Sequence, residues 1–184
     1  MTEQKFEYLL RLADNALVLS QRLSEWCGKG PALEEDMALT NVALDLIGQA
    51  RFWFSYAGEV EGKGRDEDQL AFLRDAHAFR NVLLVEQDNG NYADTLVRQF
   101  YFDTWHYLLL QRLCSSSDAR IAAIADKSLK EVADHLHIQQ YTVTPTAEDW
   151  IGNWQQLMYH QEEPLQSSSV LTQFLVYNWQ KKTI

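Results

Sequence analysis

The stretch Leu33–Val60, LEEDMALTNVALDLIGQARFWFSYAGEV, decides the fold. Pro31 stands just ahead of it at a first-turn position, and Glu34, Glu35 and Asp36 place anions where a helix dipole favours them. Apolar residues recur at helical spacing through Leu39, Val42, Leu46, Ala50, Trp53, Ala57 and Val60. A second stripe, Met37, Leu44, Ile47 and Phe54, lies on another side. A helix apolar on two sides is expected to be wrapped by neighbours, as in a helical bundle. The same stretch carries a polar ladder, Asn41, Asp45 and Gln49, with four-residue steps. We read that ladder as a solvated or interfacial row rather than a catalytic one.

Moving outward, a first helix is expected from about Gln4 to Cys27, with Phe6, Leu10, Ala13, Leu17 and Leu23 on one face. Gly28 and Gly30 stop it, and the short connection makes the two helices antiparallel neighbours. On the other side, Gly58 and Gly62 end the central helix. Asp66 and Gln69 have the spacing of a capping box for a third helix, carrying Leu70, Leu73, Phe79, Leu83 and Val85 with a break near His77. The breaker cluster QDNGN precedes a fourth helix ending near Cys114. Its stripe runs Leu96, Phe100, Asp103, Tyr107, Leu110, Cys114, with Asp103 where an apolar residue belongs. A fifth helix from about Asp118 to Gln139 lines up Ile121, Ala125, Val132, His135 and Ile138, with Leu129 and Leu136 beside them.

A chain of 184 residues builds one domain with a sizeable core. Its formal net charge of -10 argues against nucleic acid or an anionic membrane as partner. Two cysteines without framework spacing read as reduced thiols, and neither a signal peptide nor a membrane-length apolar run is present. The expectation is a soluble cytoplasmic protein.

Little chemistry is visible in the spacing. Bundles hold di-iron centres with inward carboxylates and Glu-x-x-His pairs, because residues three apart share a helix face. The chain contains no Glu-x-x-His. Glu131 and His135, four apart, share a face and with Asp103 are candidates for weak metal binding. The plainer interpretation is a buried Asp103 paired to a His or Arg, with His135 a satisfied core histidine. His77, His106, His137 and His160 show no ligand spacing. A Gly-rich phosphate loop, a G-x-S-x-G turn and a C-x-x-C pair are all absent. Spacing alone therefore ends at an all-α bundle with a few inward polar residues.

The segments LRLADNALVLSQRLSEWCG, ALTNVALDLIGQAR, NVLLVEQDNGNYADTLVRQF and SLKEVADH go further. Together they resemble the PaaC subunits of bacterial phenylacetyl-CoA epoxidases, over roughly residues 5–136. The resemblance implies a ferritin-like bundle. It also implies a place in a multicomponent enzyme that epoxidises the aromatic ring of phenylacetyl-CoA in aerobic phenylacetate degradation. In that family the PaaA-type subunit holds the di-iron centre, and the C-type subunit is its non-catalytic paralogue and structural partner. Set against the catalytic paralogue, the ligand positions here hold Leu46, Gln49, Asp103, Val132 and His135, and only Asp103 and His135 keep a ligand type. The resemblance thus implies a degenerate di-iron site, no cofactor on this chain and iron in the partner subunit; self-association is a further partner expectation.

From about His137 onward the chain departs from the family's pattern and turns rich in Gln and Trp. The expected organisation is a ferritin-like domain over 1–139 and a divergent, truncated or frameshifted tail over 140–184. A short amphipathic helix is expected there from Trp150, Ile151, Trp154, Leu157 and Met158. Two alternatives stand beside the structural subunit. One is an independent metal-binding protein using Asp103, Glu131 and His135; the other is an inactive product of a frameshifted gene.

Overall fold

The protein is described by a computed structural model over residues 2–137, and the expectations for residues 138–184 lie outside them. Among the described residues the architecture is all-α. The first long helices are α1 (Thr2–Ser24) and α2 (Leu33–Glu61). Three short pieces follow: α3 (Glu67–Phe72), a 3-10 turn (Ala76–Ala78) and α4 (Leu83–Glu86). Then come α5 (Tyr92–Leu113) and a helix α6 over 119–137.

The α1–α2 pair is the frame. Lys5, near the start of α1, donates to the Tyr56 hydroxyl, near the end of α2, at 2.5 Å, so the two run antiparallel. Between them lie Leu9, Ala13, Leu19, Leu46, Ala50, Trp53 and Ala57, all almost fully buried. Gly62 closes α2 in the left-handed region at φ 69°, its N–H bonding to Gly58 O at 3.1 Å. Pro31 is not in the first turn, contrary to expectation: Ala32 is the N-cap. The delay has a local cause, because the Asp36 carboxylate accepts the Gly30 N–H at 2.9 Å and folds the connection back onto the helix start. That bond, with a second from Gly28, lowers the Asp36 pKa.

The second stripe of α2 departs from expectation. Phe54 is buried, but Leu33, Met37, Leu44 and Ile47 are 71%, 57%, 60% and 45% exposed. They form one apolar line pointing away from the core.

The third helix is also shorter than its pattern suggests. Its capping box is present in full, Asp66 accepting from the Gln69 N–H and Gln69 from the Asp66 N–H. Yet it ends at Phe72, and Leu73 is exposed. The cause is α1. Buried Asp14 accepts from the guanidinium of Arg74 and from the Arg80 N–H, and the Asn15 side chain accepts from the Val82 N–H at 2.7 Å. Donors that would continue a helix are drawn to a neighbouring one. The Arg74 guanidinium also lies over the Phe79 and Phe54 rings, 4.4 and 5.3 Å from their centroids.

Helix α5 begins beside the end of α1, where the Trp26 indole N–H donates to Thr95 Oγ1 at 2.9 Å. Asn91 and Asp94 form its capping box. At its other end the chain turns into α6, whose first N–H groups, on Arg120 and Ile121, are accepted by Asp118. Asp118 also takes the Tyr56 hydroxyl at 2.6 Å and pairs with Lys5, which holds its carboxyl well below the usual range. Arg120 grips Glu59 with both nitrogens, so α6 starts against the end of α2.

Candidate functional site

Where α2, α5 and α6 face one another, the interior is polar. On α5 the three-and-four spacing admits two neighbouring stripes; the expected one is only partly buried, Leu96, Tyr107 and Cys114 lying at the core's edge, and the burial is deepest on the more polar one. Phe100 is 42% exposed, while Thr95, Gln99, Phe102, Asp103, His106 and Leu110 are buried. The expected stripe is therefore rotated, though Asp103 and Leu110 belong to both. Gln99, Asp103 and His106 stand at i, i+4 and i+7, a polar face that the sequence carries in plain view.

Asp103 is fully buried and accepts from Gln99 Nε2 at 2.9 Å. His135 of α6 reaches it from the side, with Nδ1 3.8 Å from Asp103 Oδ1. The other ring nitrogen, Nε2, meets Asp45 Oδ2 of α2 at 3.1 Å. The interpretation of Asp103 as a buried carboxylate paired to a histidine is the one the geometry fits. Burial works against an imidazolium at His135, but the Asp103 carboxylate, and then that of Asp45, outweigh it and raise its pKa. His106 behaves oppositely. Its ring is enclosed, 5.1 Å from the Phe102 centroid and stacked on Trp105, and desolvation pushes its pKa down to about 4.

The α2 ladder is not a uniformly solvated row. Asn41 is exposed, Asp45 is half-exposed, and Gln49 is fully buried, donating to Glu131 Oε2 at 3.0 Å. The ladder descends from water into the interior along one helix face. Leu46 and Val132 are both fully buried and apolar. All five positions, Leu46, Gln49, Asp103, Val132 and His135, are thus inside.

The trio Asp103, Glu131 and His135 is not assembled as a ligand set. Glu131 engages the Gln49 amide, one turn of α6 from His135. Among the described residues, no group of three or more His, Cys, Asp or Glu side chains is arranged to hold a metal ion. Among the described residues, several buried polar atoms have no protein hydrogen-bond partner, including Gln49 Oε1, Gln99 Oε1, His106 Nδ1, Ser128 Oγ and His135 Nδ1. A second buried charge, the Asp14–Arg74 pair between α1 and the chain after α3, has no spacing signal, because its partners are sixty residues apart.

Residues 1–148 match the family described as phenylacetic acid catabolic protein, a match reaching past the residue 136 expected from resemblance. A curated relative, the C-type subunit of the 1,2-phenylacetyl-CoA epoxidase of Escherichia coli (strain K12), is 57% identical over 133 residues. That alignment covers 72% of this chain and 53% of the relative, so the chain spans about half the relative's length. No helix among the described residues is long and apolar enough to cross a membrane.

Proposed function

The chain belongs to the phenylacetic acid catabolic protein family, and from that premise we propose that it serves as a structural subunit of a phenylacetyl-CoA 1,2-epoxidase. In this reading it binds and steadies a PaaA-type subunit that carries the di-iron centre, and has no catalytic activity or metal of its own. The setting is aerobic phenylacetate breakdown in the cytoplasm.

The observation that carries the reading is the interior itself. A carboxylate-bridged pair of irons in a bundle needs a glutamate from each of two helices and a Glu-x-x-His pair from each of two others. Here Leu46 and Val132, fully buried, fill positions where the resemblance expects bridging carboxylates. Gln49 offers an amide, and its nitrogen is already spent on Glu131. Asp103 and His135 face each other across 3.8 Å. Of the five positions where the resemblance expects ligands, only these two keep a ligand type; that set does not fit a pair of irons, and no step of oxygen chemistry is assigned to this chain.

A role beside a protein partner is supported by the outer face of α2. Leu33, Met37, Leu44 and Ile47 make an apolar line over about four turns, which a helical partner of the same family would cover. The 57% identity to the C-type relative supports the assignment to that side of the complex.

Co-expression with a PaaA-type subunit, followed by gel filtration and metal analysis, tests the proposal. The expected result is a co-eluting complex with iron only where the partner is present. A tight pair of irons in this chain purified alone after anaerobic ferrous loading, or failure to co-elute, overturns it.

A further inference from the structure

A fully buried Asp103 needs a compensating positive charge. In a bundle with a metal centre, metal ions supply that charge. Here the interior offers none of the ligand sets that would hold them. A histidine set against Asp103 is His135, itself almost fully buried, and its opposite nitrogen meets Asp45 at 3.1 Å. Each of the three comes from a different helix: Asp45 from α2, Asp103 from α5, His135 from α6.

We infer that the Asp45–His135–Asp103 bridge does the structural work that a metal does in such a bundle, with the imidazole as the central cation that ties α2, α5 and α6 together. Its surroundings fit that role. Gln99 anchors the second Asp103 oxygen at 2.9 Å, fixing the carboxylate toward α6. The Gln49–Glu131 bond, one helical turn along from Asp45 and His135, is a second α2–α6 rung. His106 stays outside the bridge, enclosed by Phe102 and Trp105. Asp45 is the one arm that reaches solvent, its side chain 44% exposed, so the bridge runs from the surface to the deepest carboxylate. An imidazolium presents a proton toward each carboxylate, at hydrogen-bond distance to Asp45 and as a longer ion pair, 3.8 Å, to Asp103, whereas a neutral ring presents only one.

The inference rests on the metal-free reading above, and the two fail differently. The full chain is denatured with urea, with and without chelator, as wild type, Asp45→Asn, His135→Gln and the double variant. We expect a midpoint indifferent to chelator and to added ferrous iron. We also expect a cycle in which Asp45 and His135 couple by about tenfold in the unfolding equilibrium constant. Should His135→Gln fail to fold, nitrogen NMR of wild type and Asp45→Asn carries the test. Wild type at neutral pH then shows a proton on both His135 nitrogens, and Asp45→Asn shifts the Nε2 signal. Additive effects with chelator indifference, or a singly protonated His135 in the wild type, overturn the bridge alone. A midpoint lowered by chelator overturns the metal-free reading and the bridge with it.

Discussion

Asp14 of α1 and Arg74, just past α3, form a two-point ion pair that is almost wholly shielded from water. The Asp14 carboxyl also accepts the Arg80 N–H at 2.7 Å, so one side chain holds two points of the chain that follows α3. Burial raises the Asp14 pKa against the pull of Arg74, which marks the desolvation that the pair must offset. Removing one partner leaves the other charged and buried. Asp14→Ala is expected to destabilise the fold by about 3–5 kcal/mol, read as a drop in urea midpoint. Faster amide exchange at residues 76–82 accompanies it, and an unchanged midpoint rules the pair out as a stabilising contact.

Two glycines on α2 predict opposite outcomes. A Cβ on Gly58 runs into the carbonyl oxygen of Arg65, which is backbone and cannot step aside cheaply. Gly58→Ala is expected to cost about 1–3 kcal/mol. A Cβ on Gly48 meets nothing, so Gly48→Ala is expected to gain roughly 0.5–1 kcal/mol from helix propensity. Thermal melts of the two variants with opposite shifts are the check.

Acid stability follows from His106. Its pKa in the fold is about 4, below the ordinary 6.5, so the unfolded chain takes up a proton first as pH falls. The stability it contributes is complete above pH 6.5 and drains away through pH 4, by up to about 3 kcal/mol. His135 has the opposite sign: its raised pKa contributes stability that is complete below 6.5 and lost as pH climbs through the folded value. Urea midpoints measured from pH 7 down to pH 4 should fall for the wild type and fall less for His106→Gln. Equal slopes in the two proteins remove His106 as the source.

The outer face of α2 separates stability from association. Leu44 is 60% exposed. Leu44→Lys is expected to leave the melting temperature of the isolated chain unchanged, within about 0.5 kcal/mol. In co-expression with the PaaA-type subunit the same change is expected to reduce the co-eluting fraction. Full recovery of complex by the lysine variant moves the contact to another face.

What could be read from sequence was whatever a single helix determines for itself. The course of α2 and the capping box of Asp66 and Gln69 follow from spacing and end chemistry, and the structure has them in place. The break after Phe72 does not, because the acceptors that end that helix, Asp14 and Asn15, sit some sixty residues earlier. On α5 apolar spacing selects Phe100, which is exposed; the most deeply buried face also carries the polar Gln99, Asp103 and His106. The Asn41, Asp45, Gln49 ladder was legible as a row, but its descent from water to core depends on where α6 lies. Leu33, Met37, Leu44 and Ile47 are apolar in the sequence and exposed in the isolated fold. Periodicity marks a face that wants covering and does not say by what.

The irregular run between α3 and α5 is stitched to α1 along its length: Arg74 and Arg80 to Asp14, Val82 to Asn15, the Glu86 carbonyl to Arg22, and Asn89 to the Arg22 carbonyl. It borrows its shape from a helix that precedes it by some sixty residues. In any chimera built between relatives, the exchangeable module is therefore this run together with α1, and a graft that splits them parts donors from acceptors.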